Sequence, residues 1–135
     1  MFDINPADAA PIWRQIEEGM RRMISLGALE PGALVPSVRD LAQQLRVNPN
    51  TVARAYQRLT DAGVFAVRRG EGTFVAEEPA RLKKSEKNET LRDAATRFAG
   101  TAIAVGASVD EAVRELRESY DRLTREHRRE TRRKP

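Results

Sequence analysis

Residues 35–75 read VPSVRDLAQQLRVNPNTVARAYQRLTDAGVFAVRRGEGTFV, and this run decides the fold. Ser37 stands three residues before Asp40, a pattern close to a capping box, and Val38, Leu41, Ala42 and Leu45 follow at i, i+3, i+4 and i+7. That spacing predicts a helix over about residues 38–46. In Val47-Asn48-Pro49, Asn48 suits the N-cap and Pro49 the first helical position, where the missing N–H costs nothing. A second helix therefore starts at once. It buries Val52, Ala55, Tyr56 and Leu59, and stops at Gly63, which tolerates the left-handed conformation just past a helix end. Two helices joined by a few residues make a helix-turn-helix.

Two short β-prone runs, residues 64–68 and 73–76, flank Arg69-Gly70-Glu71-Gly72. They predict a hairpin with an arginine and two glycines at its tip, which is a wing. Gly70-x-Gly72 is half of a dinucleotide fingerprint at best, because position 75 is Val and no helix opens there. Upstream, Ile12, Ile16, Met20, Met23 and Ile24 form the core stripe of a first helix that ends before Gly27. Trp13 lies beside that stripe, and packing against the domain or a partner subunit is favoured over ligand stacking. Pro31-Gly32 turns the chain into residues 33–35, expected to pair with the wing as a third strand. Residues 1–10 show no period and are read as a flexible arm, and the winged domain as residues 11–77.

After Glu77-Glu78-Pro79 the pattern is helical again. Leu91, Ala94, Ala95, Phe98 and Ala102 form one stripe, and Gly106 ends it. Ser108 and Glu111 then offer a capping box to a last helix striped by Val109, Ala112, Val113, Leu116, Tyr120 and Leu123. Residues 78–127 thus read as a helical hairpin, followed by a basic tail over 128–135. Each stripe is too long for the other helix to bury, so the remaining apolar edge is expected to meet its copy in a second subunit. The alanines permit close helix approach, though small residues also leave room for a ligand. The fold class is mainly α with a small β-wing.

The 135 residues allow one small domain plus an appendage, whose modest core makes dimerisation a plausible source of stability. The absence of cysteine excludes disulfides, zinc ribbons and thiol catalysis. No 18-residue apolar run and no signal-like N-terminus occur, so a cytoplasmic protein without membrane association is expected. The sequon Asn88-Glu89-Thr90 is then a chance match. The only histidine, His127, sits in the basic tail, and no carboxylate pair occupies a catalytic position, so neither an enzyme nor a metal or other cofactor is expected.

Net charge is a mild +4, and residues 1–75 hold nine Lys/Arg against eight Asp/Glu. Distribution is more telling. Between Pro36 and Gly70 stand Arg39, Arg46, Arg54, Arg58, Arg68 and Arg69, opposed only by Asp40 and Asp61, a local excess able to attract phosphate. Residues 125–135 carry six basic groups against two acidic ones. A solvated helix end is the plainer reading of that tail, and auxiliary DNA contact the alternative. A recognition helix presents its N-terminal residues to base edges, which makes Asn50, Thr51 and Arg54 the outward candidates. Arginine can take guanine O6 and N7 together, asparagine can do the same for adenine, and a threonine near a helix start more often holds phosphate. Ser37 and Arg39 begin the preceding helix, where backbone N–H groups and a cation favour phosphate. Arg69 at the wing tip would enter the minor groove, with Gly70 allowing close approach.

These motifs, taken in order, resemble those of GntR-type transcription regulators. Gln15-Ile16, Gly27-Ala28-Leu29-Glu30-Pro31-Gly32, Val35-Pro36-Ser37-Val38-Arg39-Asp40-Leu41-Ala42, Val47-Asn48-Pro49-Asn50-Thr51-Val52-Ala53-Arg54-Ala55-Tyr56 and Gly70-Glu71-Gly72-Thr73-Phe74-Val75 carry the match over roughly residues 11–77. The Asn-Pro-Asn-Thr-Val and Ala-Tyr variants resemble the YtrA and MocR branches. MocR-like proteins add a large aminotransferase-like domain and YtrA-like proteins a short helical tail, and the length here favours the latter. The resemblance implies a dimeric repressor on an inverted-repeat, double-stranded DNA operator, often near genes for ATP-driven transporters, with the tail as dimerisation element. It also implies that Arg39 can reach a base. Asn48, Tyr56 and Gly72, which adjoin the other contacts in the matching motifs, complete the expected DNA-binding set. The chain departs from many GntR-type proteins in having Pro49 and Ala53 where they carry arginine, so Arg54 is expected to substitute. The dimerisation set is Leu91, Phe98, Ala102, Val109, Val113, Leu116, Tyr120 and Leu123. No small-molecule effector can be named. A winged domain used purely for protein contact would present an uncharged or apolar recognition face, unlike Asn50, Thr51 and Arg54.

Overall fold

The computed structural model describes residues 1–133, with side chains through Glu126. In chain order it contains α1 (Ile12–Ser25), α2 (Val38–Leu45), α3 (Pro49–Asp61), β1 (Phe65–Arg68), β2 (Gly72–Val75), α4 (Lys84–Ala104) and α5 (Val109–Arg133). Two compact units result, residues Met1–Ala80 and residues Arg81–Glu126. The expected basic tail over 128–135 lies outside the residues whose side chains are described.

Local signals set the helix ends of the first unit. Ser37 Oγ accepts from the Asp40 N–H at 3.1 Å, and Asn48 Oδ1 accepts from the Asn50 N–H at 2.8 Å, with Pro49 at the first helical position. α2 ends in Arg46, left-handed at φ 57°, and the Val47 N–H returns to Ala42 O at 3.0 Å. The turn between α2 and α3 is therefore closed by backbone bonds of the Schellman kind. Past α3, Gly63 takes φ 79° and the Val64 N–H closes on Leu59 O at 2.9 Å.

One core holds these elements. Ile16, Met20 and Met23 of α1 pack with Leu41 and Ala42 of α2, with Val52, Ala55, Tyr56 and Leu59 of α3, and with Phe65 and Val75 of the wing. β1 and β2 pair antiparallel, Phe65 opposite Val75 and Arg68 opposite Gly72. Residues 33–35 join this sheet by a single bridge, Leu34 to Phe74, flanked by Val35 N–H to Thr73 O and Val75 N–H to Ala33 O, both 2.9 Å. The wing is thus tied to the segment entering α2. Residues 76–80 remain attached too, through Ala76 N–H to Val64 O at 3.0 Å and Ala80 N–H to Gly63 O at 3.1 Å.

The reading of residues 1–10 as a flexible arm is corrected. They form no helix or strand, yet Met1, Phe2 and Ile4 pack against the core. The Phe2 ring occupies the space left by Gly19, where an added Cβ would fall 2.7 Å from its carbons. Gln15 clamps the segment by accepting from the Asn5 N–H at 2.8 Å and donating to Asn5 O and Ala10 O at 2.9 and 3.0 Å. An irregular segment buries apolar groups without any period, so spacing could not announce this contact.

In the second unit Gly106, at φ 78°, turns the chain between α4 and α5, and Ser108 and Glu111 form a reciprocal capping box at 3.1 and 3.2 Å. The helices meet near this corner and, among the described residues, are not packed along their lengths. An apolar recess of about 230 Å³ lies at the corner, lined by Phe98, Ala102, Ile103, Val109, Val113 and Leu116 among others. Along both helices the stripes face solvent: Phe98 is 43% exposed, Leu116 56% and Tyr120 67%. Among the described residues no helix is long and apolar enough to cross a membrane.

Candidate nucleic-acid interface

Burial of Val52, Ala55, Tyr56 and Leu59 turns the opposite side of α3 to solvent. Asn50, Arg54, Gln57 and Asp61 are exposed there, and Thr51 is half-buried at the first turn. Gln57 Nε2 donates to Asp61 Oδ1 at 2.8 Å, so this amide is already oriented along the helix surface. Gln57 was not singled out from the sequence, although it follows Asn50 and Arg54 on the wheel opposite the apolar stripe.

Ser37 and Asn48 keep donors after capping. The Ser37 oxygen accepts from the Asp40 N–H, which leaves its hydroxyl hydrogen to donate outward, and Asn48 uses Oδ1, which leaves its NH₂. Arg39 is exposed beside Ser37, at the start of α2. Helix N-termini with spare donors and a cation suit phosphate oxygens. At the wing tip Gly70 takes φ 80° with open space around it, and Arg69 is exposed beside it. Gly72, at φ 127°, is set less for ligand approach than for the sheet, since a Cβ there would come 3.1 Å from Leu34 Cδ1. Arg68 is restrained, its guanidinium 4.2 Å from the Phe74 ring centroid and Nη2 3.5 Å from Glu77 Oε1.

Tyr56 is the correction within the expected DNA-binding set. It is 5% exposed, its ring meets Phe65 edge-on at 5.2 Å, and its hydroxyl donates to Pro36 O at 2.7 Å. Burial pushes the phenol well above its ordinary range. Tyr56 joins α3 to the start of α2 and to the wing; its place two residues after Arg54 does not by itself make it a contact residue.

Two side chains of α1 also border the interface. Trp13 underlies the guanidinium carbons of Arg54 and Arg58, 4.6 and 4.5 Å from its centroid, with that of Arg14 at 5.5 Å. Glu17 Oε2 accepts from Arg58 Nε at 3.0 Å. Trp13 packs on the domain, as its place beside the apolar stripe suggests; its partners Arg54 and Arg58 lie more than forty residues away and had no local signal.

A helix-turn-helix with an exposed polar face on its second helix, followed by a basic-tipped β-hairpin, defines a winged DNA-binding domain. Residues 13–75 match the family described as bacterial regulatory proteins, gntR family. The chain is 40% identical over 77 residues to the HTH-type transcriptional repressor YtrA of Bacillus subtilis (strain 168), covering 57% of this chain and 59% of that protein. It is 36% identical over 106 residues to the HTH-type transcriptional regulator Rv1152 of Mycobacterium tuberculosis, covering 78% and 83%. Among solved structures it is similar to the AraR DNA-binding domain in complex with operator ORX1, at TM-score 0.50 and 29% identity, covering 56% of this chain and 93% of that one. The chain belongs to the gntR family and is a DNA-binding transcription regulator, not an enzyme.

Proposed function

We propose that the chain is a homodimeric repressor acting in the cytoplasm on an inverted-repeat operator. α3 enters the major groove, Arg54 and Asn50 read base edges, and Ser37, Arg39, Asn48 and Thr51 hold phosphates. Arg69 and Gly70 bring the wing to the adjacent minor groove. The observation that carries this reading is the outward face of α3, where Asn50, Arg54 and Gln57 stand exposed opposite the buried stripe. That the AraR domain was solved on its operator and that YtrA is a repressor supports the choice of ligand and of sign.

Assembly through α4 and α5 completes the proposal. Leu91, Phe98, Val109, Val113, Leu116, Tyr120 and Leu123 are exposed in one chain, and Ala102 lines the corner recess. Exposure of so many large apolar groups on two helices is costly in water and is relieved by a second copy. Fragments of the source genome selected by the purified protein, then titrated at several salt concentrations, test the reading. A two-fold symmetric site and a steep fall of affinity with salt are expected. A salt-independent affinity, or no enriched sequence, would refute it.

A further inference from the structure

We infer that Trp13 is a positioning residue for DNA readout: its indole holds the Arg54 guanidinium on the outer face of α3. The inference rests on Arg54 reading a base. Of the two α3 arginines over the ring, Arg58 is also bound by Glu17, whose side chain is largely buried, and so is fixed from two sides. Arg54, one turn earlier, has the ring as its partner and makes no ion pair among the described residues. The ring supplies no hydrogen-bond acceptor and Arg54 makes no side-chain hydrogen bond among the described residues, so contact with Trp13 leaves its N–H donors available to a guanine. The contact also removes rotamers that an exposed arginine would otherwise lose only on binding. Trp13 comes from α1 and is itself set by the core, because Ile16 and Met20, one and two turns along the same helix, are fully buried. Recognition by α3 therefore depends on a side chain that need not touch DNA. The same cluster gathers Arg14, Arg54 and Arg58 against the one carboxylate of Glu17, a surplus of positive charge beside the recognition helix.

The test uses the full chain, its selected operator, and an operator copy altered at the base pair whose preference Arg54→Ala relaxes. Trp13→Leu is expected to reduce the preference between the two by about two- to five-fold, as an exposed cation–π contact implies. Trp13→Phe should keep most of it, and Trp13→Leu should change nothing further in an Arg54→Ala background. Trp13 is the only tryptophan, so its emission and quenching in the DNA-free protein report the contact directly, and Arg54→Ala should alter them. Equal losses from Trp13→Leu in both backgrounds, or unaltered emission in Arg54→Ala, would overturn the inference, and the emission arm needs no Trp13 variant to fold. If Arg54→Ala relaxes a base pair while Trp13→Leu does not, the positioning role alone fails. If Arg54→Ala relaxes none, the base-reading role of Arg54 fails, and the inference with it.

Discussion

Replacing Tyr56 by Phe separates a structural hydroxyl from a DNA contact. The 2.7 Å bond to Pro36 O would be lost, while the ring and its edge-on contact with Phe65 would remain. Loss of one buried hydrogen bond, with the Pro36 carbonyl left partly unsatisfied, should cost about 0.5–1.5 kcal/mol. For a domain of this size each kcal/mol lowers Tm by roughly 4–8 °C, within reach of calorimetry. Operator affinity, measured well below the melting range, should change by less than about two-fold, since a loss this small leaves nearly all molecules folded. Alkaline pH adds an independent signature. The buried phenol titrates above its ordinary value of 10.0, so the folded state binds this proton more tightly than the unfolded chain does. The stability so contributed is complete below the unfolded value and is lost as pH rises through it towards the folded one. Wild type should therefore lose more stability than Tyr56→Phe above that point. A large fall in operator affinity with an unchanged Tm would refute this reasoning and return Tyr56 to the DNA surface.

Arg54→Ala should weaken the selected operator by about 1–3 kcal/mol and relax one base pair in fragment selection, with melting nearly unchanged. Arg69→Ala should lower affinity chiefly for sites flanked by A·T-rich narrow grooves; equal losses on all flanks in binding titrations would make it a generic phosphate contact. Leu116→Asp, which places a charge on the exposed apolar stripe, should give a monomer in sedimentation and forfeit avidity of roughly 10²–10⁴ on a two-site operator. A chain ending at Ala80 should do the same while keeping its melting transition, and a persistent dimer with full affinity would move the interface into the winged unit.

The elements legible in the sequence were those whose signals lie within a few residues. Ser37, Asn48 and the Ser108–Glu111 box mark helix starts by accepting from neighbouring backbone N–H groups, Pro49 takes the first helical position, and Gly63 and Gly70 mark turns by adopting positive φ. The outward face of α3 followed as well, because helical period alone assigns Asn50 and Arg54 to the side away from Val52 and Leu59.

What tertiary structure decided is what each of those side chains meets. Tyr56 sits one position from the outward face, and only the nearby Pro36 carbonyl, twenty residues earlier in the chain, turns its hydroxyl inward. Glu17 and Arg58, forty-one residues apart, and Trp13 beneath Arg54 come together only once α1 crosses α3. The Phe2 ring reaches Gly19 through an irregular segment that no period describes. Apolar stripes on α4 and α5 were plain in the sequence, but the opening of the two helices from Gly106 was not. A cap or a stripe is written in adjacent or regularly spaced residues, whereas a contact between distant ones exists only where packing of the whole core has brought their backbones within side-chain reach.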